Sequence, residues 1–154
     1  TTRANVDYHE IARDTVRNAK AFAQALAAEG FDVLAESRGY TASHQVLTRH
    51  GDADSGAGTK AAQLLEDGGI VTNMNMLPGD TKALTPSGLR LGVQELTRVG
   101  FTPDEMQDVA RFYARILIHG EDPSKVRVDV KDLKSQFQTI RYCFNEDGRS
   151  GYPL

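Results

Sequence analysis

At 154 residues the chain has the length of one domain, enough to bury roughly two-thirds of its unfolded surface around a single core. With 18 Lys and Arg against 21 Asp and Glu it carries a net charge of -3 and no basic run, which argues against a nucleic-acid partner. The single cysteine, Cys143, leaves no internal disulfide and no multi-cysteine metal site, and no apolar stretch approaches the roughly 20 residues that span a bilayer. A cytoplasmic protein without membrane association is the expectation.

Thr1 to Asn5 has no apolar pattern. From about Tyr8 to Glu29, Val16, Ala19, Phe22, Ala23 and Leu26 recur at helical spacing, and Gly30 follows as a stop. Residues 31–35 predict a short strand, 36–40 a turn and 43–49 a second strand, joined as a hairpin. The Gly/Asp/Ser/Ala stretch of 50–58 reads as a flexible connector, after which Thr59 is placed to cap a short helix through Glu66 that ends at Gly68 and Gly69. A strand over 70–74, a long irregular loop over 76–86 and a strand through Arg90 follow. Thr102-Pro103-Asp104-Glu105 has the form of a capping box with proline at the first helical position. The helix it opens runs to about His119 and turns Val109, Ala110, Tyr113, Ile116 and Leu117 inward. Asp122-Pro123 opens a last helix with Val126, Val130, Leu133, Phe137 and Ile140 as its stripe. Cys143, between Tyr142 and Phe144, reads as a small packing residue, and 145–154 as a flexible, turn-rich tail. Few strands between a long helix and two later ones predict an α+β two-layer sandwich, a small, mostly antiparallel sheet with helices on one face.

The segment Ser87 to Val93 carries the most chemistry. Alternation in a strand puts Leu89, Leu91 and Val93 on one face and Gly88, Arg90 and Gly92 on the other. One guanidinium then stands between two positions without side chains, where a small ligand or a neighbouring backbone can come close. Arginine suits a carboxylate receptor because its planar fork grips the group bidentately and fixes its orientation. Pattern alone is also satisfied by an edge-strand arginine facing water. The run Asn73 to Asp80 leads toward this strand, and its amides could serve recognition or simply form turns.

Other chemistry is missing from the sequence. Neither G-x-G-x-x-G nor G-x-x-x-x-G-K-[ST] occurs, nor G-x-S-x-G. His9, His44, His50 and His119 are too scattered for a local metal motif, and His44, at the start of a strand, reads as a hydrogen-bonded structural histidine.

In order and spacing, N-A-K-A-F-A at 18–23, N-M-N-M-L-P-G-D at 73–80, S-G-L-R-L-G at 87–92 and L-T-R-V-G-F at 96–101 resemble the C-terminal domain of serine hydroxymethyltransferase. The resemblance covers about Tyr8 to Ile118, and the helix over Val126 to Phe137 looks like that domain's closing helix. It implies that residues 1–144 form the small domain of a fold-type I, pyridoxal-phosphate-dependent enzyme acting on the Cα–Cβ bond of β-hydroxy amino acids. It also implies that Arg90 binds the substrate's α-carboxylate, that Asn75 contacts a tetrahydrofolate cosubstrate, and that the large domain is the partner, in a homodimer or dimer-based tetramer.

The family binds its cofactor through a lysine preceded by histidine, and no His-Lys pair occurs here; Lys20, Lys60, Lys82, Lys125, Lys131 and Lys134 all lie in other contexts. The chain is therefore expected to be inactive by itself and to be a portion of a longer enzyme. Two departures stand out. Val93-Gln94-Glu95 replaces the family's usual continuation after the arginine motif, and the loop after Asn75 lacks its S-P-F element. These departures suit a threonine transaldolase, a similar enzyme that works without folate. A free-standing, non-catalytic binding module is the alternative of a different class.

Overall fold

Alternation in residues 45–49 and 88–92 builds the centre of the structure, a computed structural model that describes residues 8–140. Four strands, β1 (Asp32–Val33), β2 (Gln45–Arg49), β3 (Asn73–Asn75) and β4 (Gly88–Gly92), form one antiparallel sheet in the order β1-β2-β4-β3. Val46 lies opposite Leu91 and Thr48 opposite Leu89, all four buried, so these positions define the inner face. The helices α1 (Tyr8–Ala28), α2 (Ala57–Asp67), α3 (Gln94–Arg98), α4 (Pro103–Leu117) and α5 (Pro123–Ser135) supply the rest of the core. This is the α+β arrangement expected from sequence.

Helix α1 lies along α4 and against β1 and β2, while α2 lies against β3 and β4. Its stripe Ala19, Phe22, Ala23 and Leu26 is buried, and Phe22 meets Tyr113 of α4 edge to face at 5.6 Å between ring centroids. The Thr102 capping box forms: the backbone N–H of Thr102 donates to Glu105 Oε2 at 2.7 Å and its hydroxyl to the same oxygen at 2.6 Å. Asp122 caps α5, accepting from the N–H of Ser124 at 2.9 Å. Arg115 ties α4 to α5, reaching Glu121 at 2.7 Å and Asp129 at 2.6 Å.

Several sequence expectations are corrected. Strand β3 begins three residues later than the 70–74 segment, because Gly69 (φ +82°) turns the chain and residues 70–72 pass before pairing starts. Thr59 lies inside α2, whose cap position is Gly56, so the helix starts without a side-chain cap. The short helix α3 has no counterpart among the sequence predictions. The 50–58 segment is not a free connector: Gly56 N–H donates to Thr85 O and Gly58 N–H to Pro86 O, both at 3.0 Å. Cys143 and the 145–154 tail lie outside the described residues.

Candidate functional site: the outer face of the sheet

Antiparallel register places Leu47, Arg90 and Asn73 in one row across the outer face, with Arg49, Gly88 and Asn75 in the next. Arg90 and Asn75, both singled out from sequence, therefore share a face one row apart. The helices cover the opposite face, and Arg90 is exposed. Of the two outer-face guanidinium groups, that of Arg49 is engaged, 3.5 Å from Asp32 and 3.5 Å from the Pro78 carbonyl oxygen. The Arg90 side chain makes no ion pair or hydrogen bond among the described residues. Among the described residues it is a free cation, held on a central strand paired on both sides.

The two glycines that flank Arg90 do different jobs. A Cβ on Gly88 would overlap the side chain of Leu77, so that gap is filled by the protein itself and is not open to a ligand. The sequence allowed a ligand or a backbone beside Gly88; on this face the structure brings the Leu77 side chain there instead. Beside Gly92, a Cβ would stand 2.7 Å from Oε1 of Gln94, a flexible amide that can move. Asn75 donates from Nδ2 to the Met76 carbonyl at 2.6 Å, which leaves its Oδ1 as the free acceptor, whereas Asn73 is exposed with no side-chain hydrogen bond among the described residues.

Sequence reasoning missed the pair of carboxylates that stitches the loops bordering this face. Asp80 Oδ2 accepts from the N–H of Leu77 at 2.8 Å and from the N–H and hydroxyl of Ser87, both at 2.9 Å. Its Oδ1 accepts from the N–H of Asp54 at 2.7 Å. Asp54 in turn accepts from Thr81 (N–H 2.7 Å, hydroxyl 2.6 Å) and from the N–H of Lys82 at 2.8 Å. Hydrogen bonds from Ser87, Leu77 and Asp54 hold the Asp80 carboxyl well below the usual carboxylate range. The Thr81 hydroxyl, with the Lys82 and Thr81 amides, lowers that of Asp54. The pairing spans loops far apart in sequence, and aspartates in Gly-rich turns carry no periodic signal.

His50, not His44, is the structural histidine. Its Nε2 lies 2.9 Å from Thr48 Oγ1, its ring meets Phe31 edge to face, and burial lowers its pKa to about 4 against a smaller opposing pull from Asp32. His44 makes no side-chain hydrogen bond among the described residues, and those residues contain no group of three or more His, Cys, Asp or Glu placed to hold a metal.

Among the described residues β3 pairs only with Gly88–Arg90, so the rest of β4 has no described strand beyond it. There an apolar groove of about 700 Å³ runs between α3, α4 and α5, walled by Phe101, Phe112, Tyr113, Leu133 and Phe137; Arg90 is not among its walls.

Comparison with known proteins gives a consistent picture. The family model for serine hydroxymethyltransferase matches residues 1–113. The chain is 49% identical over 157 aligned residues to serine hydroxymethyltransferase of Thermococcus kodakarensis, covering 100% of this chain and 36% of that protein. It is also 49% identical to the Pyrococcus horikoshii serine hydroxymethyltransferase, covering 94% and 35%. Among solved structures, L-threonine transaldolase from Pseudomonas fluorescens, crystallised in its internal aldimine state, superposes with a TM-score of 0.78 at 32% identity, covering 90% of this chain and 32% of that one. The chain thus spans about a third of the length of the relatives it matches. No described helix is long and apolar enough to cross a membrane.

Proposed function

This chain belongs to the serine hydroxymethyltransferase family, and from that premise we propose that it supplies the substrate-carboxylate arginine, Arg90, to a longer pyridoxal-phosphate enzyme. That enzyme makes or breaks the Cα–Cβ bond of β-hydroxy amino acids, interconverting serine and glycine. The observation that carries this reading is the exposed guanidinium of Arg90 on the outer sheet face, without an ion pair or hydrogen bond among the described residues. A planar fork there can donate to both oxygens of a carboxylate and so fix the orientation of the amino acid, and orientation is a large part of what positioning contributes to rate.

The residues of this face do not fit the cofactor as its anchor. Their cations are guanidiniums, and no lysine stands at a sheet position of that face to condense with a carbonyl. Pyridoxal phosphate is assigned to the remaining two-thirds of the enzyme, which is the partner of this face, and the chain alone is expected to be inactive. Asn75, whose Oδ1 accepts no hydrogen bond among the described residues, is the candidate contact for a folate cosubstrate on the same face. Dimers or dimer-based tetramers are the proposed assembly.

The second reading is a folate-independent transaldolase. It draws on the structural match to L-threonine transaldolase and on the Val93-Gln94-Glu95 segment, where Gln94 sits over Gly92.

Absorbance spectroscopy of the full-length enzyme tests the proposal. The bound cofactor's visible band is expected to shift on adding glycine, serine or threonine, and the shift is expected to need far higher amino acid in Arg90→Ala. A spectrum indifferent to amino acids, or equal affinity in the variant, would refute it. Cleavage of serine that depends on tetrahydrofolate favours the first reading over the second.

A further inference from the structure

We propose that Asp80 is a positioning residue for the amino acid, holding the strands that carry Asn75 and Arg90 in their working relation. The inference rests on the reading of Arg90 given above. One carboxylate oxygen of Asp80 closes the β3–β4 loop at both ends: it accepts from Leu77, just beyond Asn75, and twice from Ser87, the residue before β4. The other oxygen accepts from Asp54 and so ties in the neighbouring loop. A turn-forming aspartate ordinarily bonds its own backbone a residue or two onward. Here the donors belong to both arms of the loop and to a third segment.

The consequence for the site is geometric. Leu77, clamped by Asp80, covers Gly88 on the outer face, and the N–H of His50 donates to Ser87 O at 2.9 Å, which aligns the entry of β4 with the end of β2. Arg90 has no partner of its own among the described residues, so its reach is set by its neighbours on this face. Release of the clamp frees Leu77 and the segment leading back to Asn75 to lift from that face. The strand itself stays paired to β2, so Arg90 is kept but its surroundings loosen.

The test is a double-mutant cycle in the full-length enzyme with Asp80→Asn, Arg90→Lys and both together. Asparagine keeps the shape but turns one acceptor oxygen into a donor, so either the Leu77 and Ser87 donors or the Asp54 N–H loses its acceptor. The expected result for Asp80→Asn is a rise of about tenfold in KM for serine, with kcat changed by less than about threefold. In the Arg90→Lys background, where bidentate contact is already lost, the same substitution is expected to change KM by less than about threefold. An unchanged KM in Asp80→Asn, or an equal factor in both backgrounds, overturns the proposal. Should Asp80→Asn fail to fold, Ser87→Ala removes a single donor and is expected to raise KM by about threefold; no rise there overturns it as well. An Arg90→Lys variant with unaltered KM would instead sink the reading of Arg90, whatever Asp80 does.

Discussion

Gly58, in the first turn of α2, lies against the backbone of Gly88 so closely that a Cβ on Gly58 would overlap the Gly88 carbonyl oxygen and stand 2.8 Å from its nitrogen. Helix and strand meet main chain to main chain beside the strand that carries Arg90. Gly58→Ala is expected to destabilise the chain by about 1–2 kcal/mol: alanine favours the helix by about 1 kcal/mol, and the forced backbone shift costs more. Urea unfolding measures the difference, and a variant as stable as the parent would contradict the contact.

For Arg90, the expected separation is between binding and folding. In the full-length enzyme, Arg90→Ala is expected to raise KM for the amino acid by about a hundredfold or more, and Arg90→Lys to recover only part of the loss, because an ammonium cannot reproduce the two-pronged geometry. The side chain is exposed and unpaired among the described residues, so the melting temperature is expected to stay within about two degrees of the parent.

Asn18 of α1 is fully buried and donates to Thr97 Oγ1 at 3.0 Å and to the Phe101 carbonyl at 2.8 Å, fastening α1 to the segment after β4. Asn18→Ala leaves that carbonyl without its donor and opens a small void, for an expected cost of about 2–4 kcal/mol in chemical denaturation. Asn18→Asp buries a carboxyl among acceptors, which raises its pKa. Its folded form is favoured when protonated, so the penalty is expected to grow as pH rises above the ordinary aspartate value of about 4 and to be smallest below it.

His50 gives the opposite sign. Its folded pKa, lowered to about 4, lies below the ordinary value of 6.5, so the unfolded chain binds the extra proton between those values and stability falls as pH drops from 6.5 toward 4. His50→Gln, which keeps a partner for Thr48 but cannot titrate, is expected to flatten the melting temperature over that window. Parallel curves for the two proteins would show that His50 is not the source.

What could be read from the sequence was whatever repeats or caps. The stripe of α1, the capping box at Thr102, the Asp122-Pro123 start and the alternation around Arg90 are local patterns, and each survives in the fold. Asn73–Asn75 paired later than expected because an apolar run at 70–71 looks like strand, while pairing is fixed by register with β4. Gly88 illustrates the same limit. A glycine beside an arginine signals close approach, but only the fold reveals that the Leu77 side chain takes the space at Gly88. The Asp54–Asp80 stitch lay hidden for the same reason, since its partners meet only once the two loops are side by side.

The exposure of Arg90 on the outer face has an energetic corollary. A guanidinium bathed in solvent holds a carboxylate with about 0–1 kcal/mol, whereas the same pair shielded from water by surrounding protein interacts far more strongly. On the proposed reading Arg90 is thus a latent receptor, whose grip arrives only when another surface shuts the water out.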